Sequence, residues 1–158
     1  MAKLHQYQTN LVWAGNKGSG TMDYRSYDRS FIISIAHKPD IFGSSDSAFL
    51  GDKGKHNPED LLVSSLSSCH MLWYLHLCST NGIIVLEYKD TAVGRMQELA
   101  DGSGRFTEVV LHPEVTISDE SAMEKALSLH AEANKMCFIA NSCNFPVTHQ
   151  PQCLVEST

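Results

Sequence analysis

Between Gln6 and Trp13 the residues Tyr7, Thr9, Leu11 and Trp13 share one parity, the alternation of a half-buried strand, and Gly15-Asn16-Lys17-Gly18-Ser19-Gly20 then breaks it as a hairpin connection. Tyr24 to Ala36 is aromatic and β-branched, with Phe31, Ile33 and Ile35 alternating with Ser30 and Ser34, which predicts a second strand. Residues 37 to 56 are rich in Gly, Ser and Asp and predict a long loop. Asn57-Pro58-Glu59-Asp60 is a helix start: Asn57 can cap, Pro58 suits the first position, and two acids favour the positive end of the dipole. That helix runs to about Ser79, where Asn81-Gly82 stops it. Ile83 to Met96 and Arg105 to Ile117 alternate on either side of Asp101-Gly102-Ser103-Gly104 and predict two long antiparallel strands. Apolar spacing after Ser118-Asp119 predicts a second long helix to about Phe138. Phe145 to Val155, with Pro146 and Pro151, closes as a short edge strand.

The order β β α β β α β lacks the alternation of a parallel doubly wound sheet, so the predicted class is α+β with antiparallel sheets. A chain of 158 residues, 42% hydrophobic, suits one domain. A formal charge of -6 argues against nucleic acid as a partner. The first residues hold no apolar signal segment, so export is not expected. The apolar run Leu61 to Cys78 includes four serines, His70 and His76, which favours a buried helix over a membrane span. Five cysteines, at 69, 78, 137, 143 and 153, form no CxxC pair and read as thiols of a reducing, cytoplasmic compartment.

Cys69 is the candidate for chemistry. Leu62, Leu66, Leu72 and Trp73 at i-7, i-3, i+3 and i+4 place its sulfur on an apolar helix stripe, at a packed seam. By pattern alone Cys69 and Cys78 both read as small buried hydrophobes. A nucleophilic thiol must ionise, and a free thiol with a pKa of about 8.5 needs a nearby cation to do so at neutrality. His70 points about 100° away and His76 lies roughly 10 Å along the helix, so a local Cys-His dyad is disfavoured. The eight histidines show neither HExxH nor HxH spacing, which speaks against zinc.

His56-Asn57-Pro58-Glu59-Asp60-Leu61-Leu62 followed by Ser67-Ser68-Cys69-His70 resembles the central helix of the OsmC/Ohr family, and Phe138-Ile139-Ala140-Asn141-Ser142 with Asn144-Phe145-Pro146-Val147 is closer to its OsmC-like branch. The resemblance covers nearly the whole chain. It implies an intertwined homodimer with its active sites at the subunit interface, antiparallel sheets around the helix that carries Cys69, and a thiol peroxidase acting on alkyl or fatty acyl hydroperoxides. Cys69 would be the peroxidatic thiol and Cys137 the resolving thiol, with Cys143 a lesser competitor. Glu59, ten residues before Cys69, would hold an arginine from the early strands, Arg25 ahead of Arg29. A dithiol, commonly a dihydrolipoyl group, would be the reductant, with no metal, haem or flavin. Phe138 after Cys137 departs from the family's frequent proline. The competing reading is a small-molecule binding or redox-sensing protein on the same fold, with weak peroxidase activity.

Overall fold

The structure is a computed structural model, and residues 3–156 are described. The chain divides into two compact units, residues 1–61 and 62–158.

The first unit holds a three-stranded antiparallel sheet of β1 (Asn10–Trp13), β2 (Phe31–Ser34) and β3 (Ile41–Gly43) in that order. Leu11 pairs with Ile33, and Ile32 with Phe42. Both predicted strands are shorter than their patterns. The residues between β1 and β2 fold on themselves instead of extending the hairpin: Arg29 donates to the carbonyls of Tyr27 at 2.6 Å and Tyr24 at 2.5 Å, and its guanidinium lies over both rings. That turn removes Tyr24 to Asp28 from the ladder. The predicted loop at 37–56 contributes β3 and a short 3-10 turn, Ser47–Phe49, capped by the Asp46 carboxylate. Gly43 is required where β3 meets the Phe31 ring, because a Cβ there would come within 2.2 Å of it.

Helix α1 runs Pro58–Thr80. Its start is as read from the sequence: the Asp60 N–H donates to Asn57 Oδ1 at 2.7 Å. Gly82, at φ 72°, turns the chain out of it in the left-handed region. Asn57→Ala is expected to destabilise the protein by about 1 kcal/mol in urea unfolding, the usual cost of losing such a cap.

The predicted long hairpin is broken in the middle of both arms. One arm becomes β4 (Val85–Asp90) and β5 (Val93–Glu98), the other β6 (Gly104–Leu111) and β7 (Pro113–Ile117). At the break Asp90 Oδ1 accepts from the His112 N–H at 2.7 Å, while the His112 ring bonds the Thr91 carbonyl. The arms therefore enter two sheets, β4-β7-β9 and β5-β6-β8. The last strand is likewise divided, into β8 (Val147–His149) and β9 (Gln152–Val155), either side of Gln150-Pro151. Both pieces lie at sheet edges, as the prolines require, yet they pair parallel to β6 and β7 and not antiparallel. The cause is the second helix, α2 (Met123–Met136): a helical crossover returns the chain in the same direction. Asp119 caps the 3-10 turn that leads into α2.

Two apolar clusters fill this unit. The larger joins Tyr74 and Cys78 of α1, Ile83, Val115 and Ile117 of the β4-β7 region, and Ala126, Leu129 and Ala133 of α2. The smaller joins Leu66 to Val109 and Leu111, with Phe106, Phe145 and Cys143 against them. Helix α1 is long and apolar enough by composition to cross a membrane. Its polar side chains nevertheless find protein partners, Ser67 with Asp90 and His70 with His130.

Candidate functional site

The buried stripe of α1 is Leu66, His70, Tyr74 and Cys78, four residues apart. This corrects the expected stripe. Cys69 belongs to the neighbouring row with Trp73 and is half-buried, whereas Leu72 is 63% exposed. Cys78 is sealed in the larger core, where burial raises its thiol pKa. The row shift matters chemically, since a thiol inside sealed packing could not meet a substrate and Cys69 is not so enclosed.

Facing Cys69 is Cys137, which caps α2 at its C-terminus. Its backbone has left helical geometry (φ -67°, ψ 109°) and its N–H donates to the Asn134 carbonyl. The Cys137 sulfur accepts the Ala140 N–H at 3.4 Å. Its thiol pKa is pushed up to about 11, first by burial and then by the neighbouring Cys69 thiol, against the lowering effect of the Ala140 N–H. Both cysteines are free. The structure thus brings together the two thiols singled out in the sequence, although they lie on different helices. Phe138 is 64% exposed and meets the Trp73 ring edge-on at 5.6 Å, so the residue standing in the proline position packs beside the thiol row.

Cys143 takes another position. It ends a 3-10 turn, its thiol donates to the Ile139 carbonyl at 3.3 Å, and it packs against the Leu66 cluster. Burial raises its pKa.

In the first unit Glu59 is half-buried, and its Oε2 is sealed from solvent without a hydrogen-bond partner. A carboxylate oxygen in that state calls for a donor. Arg25 is exposed, and its backbone N–H donates to Asp23 Oδ1 at 2.7 Å. The Arg29 guanidinium is already occupied by two carbonyls and two tyrosine rings. Neither arginine forms an ion pair with Glu59 among the described residues.

Sequence reasoning missed a cluster of three histidines. His70 of α1 and His130 of α2 are each 1% exposed, and Nε2 of the first lies 3.0 Å from Nδ1 of the second. His149 of β8 flanks both rings. Burial lowers the His70 pKa to about 4, with help from His149 and opposition from Asp90. Burial, then His70 and His149, lowers His130 to about 3. His149 is lowered by burial. The three come from three separate elements, so no local spacing could reveal them. The available signal was the interval of four between Leu66, His70, Tyr74 and Cys78. No group of three His, Cys, Asp or Glu side chains among the described residues is arranged to hold a metal ion.

The site is thus an α+β fold's half-buried thiol, Cys69, on its long helix, with a second free thiol, Cys137, at the end of the next. The OsmC-like protein family model matches residues 51–151, and the chain belongs to the OsmC family. It is similar in structure to an OsmC-like protein of unknown function from Vibrio cholerae, with TM-score 0.85 and 27% identity over 94% of this chain and 100% of that one. An organic hydroperoxide resistance protein from Elizabethkingia anophelis, crystallised with thiocyanate bound, shares the fold at TM-score 0.70 and 16% identity, covering 99% of this chain and 100% of that one. An organic hydroperoxide resistance protein from Legionella pneumophila does so at 0.66 and 16%, covering 96% and 99%. No curated protein matches.

Proposed function

We propose that this chain, read as one OsmC-like domain, is a cytoplasmic cysteine peroxidase that reduces organic hydroperoxides to alcohols. The observation that carries this reading is the juxtaposition of two free thiols from different helices, Cys69 of α1 lying close enough to Cys137 to raise its pKa. Membership of the OsmC family and the likeness to two organic hydroperoxide resistance proteins support it.

The Cys69 thiolate attacks the distal peroxide oxygen, the O–O bond breaks, and the alkoxide leaves as an alcohol on taking a proton. Cys69 is then a sulfenic acid. The Cys137 sulfur attacks it, the S–O bond breaks, and hydroxide leaves as water with the Cys137 proton. A dithiol of the dihydrolipoyl kind reopens the disulfide by exchange and is itself oxidised. High thiol basicity at Cys137 suits the resolving role: the group stays protonated and unreactive toward peroxide until a sulfenic acid forms beside it.

Arg25 is the arginine proposed to hold the thiolate and orient the peroxide, with Glu59 holding the arginine. Arg29's prior engagement favours Arg25, and the orphaned Glu59 oxygen suits a guanidinium donor. The proposed assembly is a homodimer. Exposed Leu11, Val12, Trp13 and Phe42 on the first unit's sheet and Leu72 and Phe138 on the second are apolar surface that a second copy would cover. Leu72, Trp73 and His76 line a shallow hollow of about 250 Å³ within one to two turns of Cys69. An alkyl group buried there contributes about 0.8 kcal/mol per methylene, which favours organic hydroperoxides over hydrogen peroxide.

Cys137→Ser tests the assignment. One equivalent of cumene hydroperoxide is expected to be consumed rapidly and then turnover stops, with dimedone trapping a sulfenic acid on Cys69. In the wild type, mass spectrometry after one equivalent should find a Cys69–Cys137 bond. A bond to Cys143 would overturn the choice of resolving thiol.

A further inference from the structure

The histidine cluster takes no part in the chemistry proposed above, yet it lies against the same two helices as the thiols. On α1 the row His70–Tyr74 meets His130, which bonds His70 and stacks on Tyr74 at 3.9 Å and 12°. The adjacent row Cys69–Trp73 meets Cys137 and Phe138. His130 and Cys137 are seven residues apart, about 10 Å by helix rise, whereas Cys69 and His70 are neighbours whose side chains diverge by about 100°. Helix α1 therefore crosses α2 steeply. Rolling α1 about its own axis would carry both rows across α2 together, so whatever fixes one row fixes the other.

The packing around the histidine row is tight but largely non-directional, and apolar contact alone tolerates a roll of the helix. A hydrogen bond does not, because it weakens quickly with distance and angle. The two rings lie 7° from parallel with centroids 5.3 Å apart. His70 Nδ1, His130 Nε2 and His149 Nδ1 are sealed from solvent without partners, so the bond between His70 and His130 is the one directional contact these rings make among the described residues. Two leucines would fill the same space without stranding polar atoms, and burying imidazoles there sacrifices stability for geometry.

We propose that His70 and His130 are positioning residues for the thiol pair: their hydrogen bond fixes the roll of α1 and so holds Cys69 against Cys137 for disulfide formation. The inference rests on the peroxidase reading for its biological use, though the geometry it describes belongs to the two thiols in any redox role. It predicts an effect on the second half of the cycle, where sulfur must reach sulfur, and little on the first, where peroxide diffuses to Cys69.

The test is the equilibrium constant for Cys69–Cys137 disulfide formation in glutathione buffers, read by alkylation and mass spectrometry, because it reports the effective concentration of one thiol at the other without any peroxide. Paired replacement His70→Leu with His130→Leu removes the bond together with the two unpartnered nitrogens of that pair. The constant is expected to fall about tenfold, in keeping with the sensitivity of intramolecular reactions to small displacements. His130→Asn places an amide near the Nδ1 position and is expected to restore it to within about threefold of wild type. Should the leucine pair not fold, His130→Phe keeps a ring on Tyr74 without the bond and carries the same test. Apolar variants that stay within about threefold of wild type, or an asparagine variant no better than they are, would overturn the proposal. A wild type that is slow toward hydroperoxides while its glutathione constant still depends on the histidines would reject the peroxidase reading and leave this one standing.

Discussion

Cys69→Ser is expected to lower the rate of cumene hydroperoxide reduction, with dihydrolipoamide as reductant, by about 10³-fold or more, the scale seen when a catalytic nucleophile is removed. Serine is close in size to cysteine, and the site is half-buried, so the fold has no reason to fail. What disappears is a polarizable sulfur that can be oxidised by two electrons and then bonded to another sulfur. Stopped-flow consumption of cumene hydroperoxide and of hydrogen peroxide measures the loss and the preference in one experiment. Cys143→Ser should retain near-wild-type turnover, because its thiol is turned to the Ile139 carbonyl. If wild type and Cys69→Ser consume hydroperoxide at the same slow rate, the enzyme reading fails. A small-molecule binding or redox-sensing protein on this fold would then be the better description.

Much of the fold was legible because its signals are local. Asn57-Pro58-Glu59-Asp60 carries a cap, a first-turn proline and dipole-matched acids within four residues, and the cap bond is present. The boundaries that failed depend on partners distant in sequence. Nothing local to Lys89-Asp90-Thr91 says that the arm will divide, since the division is made by Asp90 accepting from His112 across the hairpin. Likewise Tyr24 to Asp28 has strand composition, yet Arg29 draws the carbonyl of Tyr24 into a turn. The parallel pairing of β8 and β9 follows from the direction in which α2 delivers the chain, a property of topology and not of either strand's residues. The candidate site divides in the same way. The resemblance singles out Cys69 and Cys137 as candidates, while the face that Cys69 occupies differs from the expected one, because an apolar helix as uniform as α1 offers several plausible stripes. The chosen stripe was decided by His70 and Tyr74, two residues an apolar count discounts, which are buried because each has an aromatic partner on another element.

Those same histidines should make the protein sensitive to acid well before its carboxylates are protonated. His70 and His130 have pKa values of about 4 and about 3 when folded, against 6.5 for an ordinary imidazole. The unfolded chain takes up protons as the pH falls below about 6.5, while the folded one refuses them until the lower values are reached, so stability is complete above 6.5 and declines through the window from 6.5 to between 4 and 3. His149, also lowered, adds in the same direction. Among the groups facing the rings, Asp90 on β4 favours the charged form of His70 and opposes the effect, whereas Tyr74 and Tyr88 stay neutral throughout because burial pushes their pKa values up. Each pKa unit corresponds to about 1.4 kcal/mol, but each histidine depresses its neighbour, so the losses are not additive. Between pH 7 and pH 4.5 the expected loss is about 3 kcal/mol, measured as the shift of the urea midpoint followed by circular dichroism. Other groups titrate over this range too, and the control is the paired variant His70→Leu with His130→Leu. It is expected to lose most of this dependence. If its stability falls with acid as steeply as that of the wild type, the rings are not the groups that resist protonation, and their burial as a neutral pair is wrong.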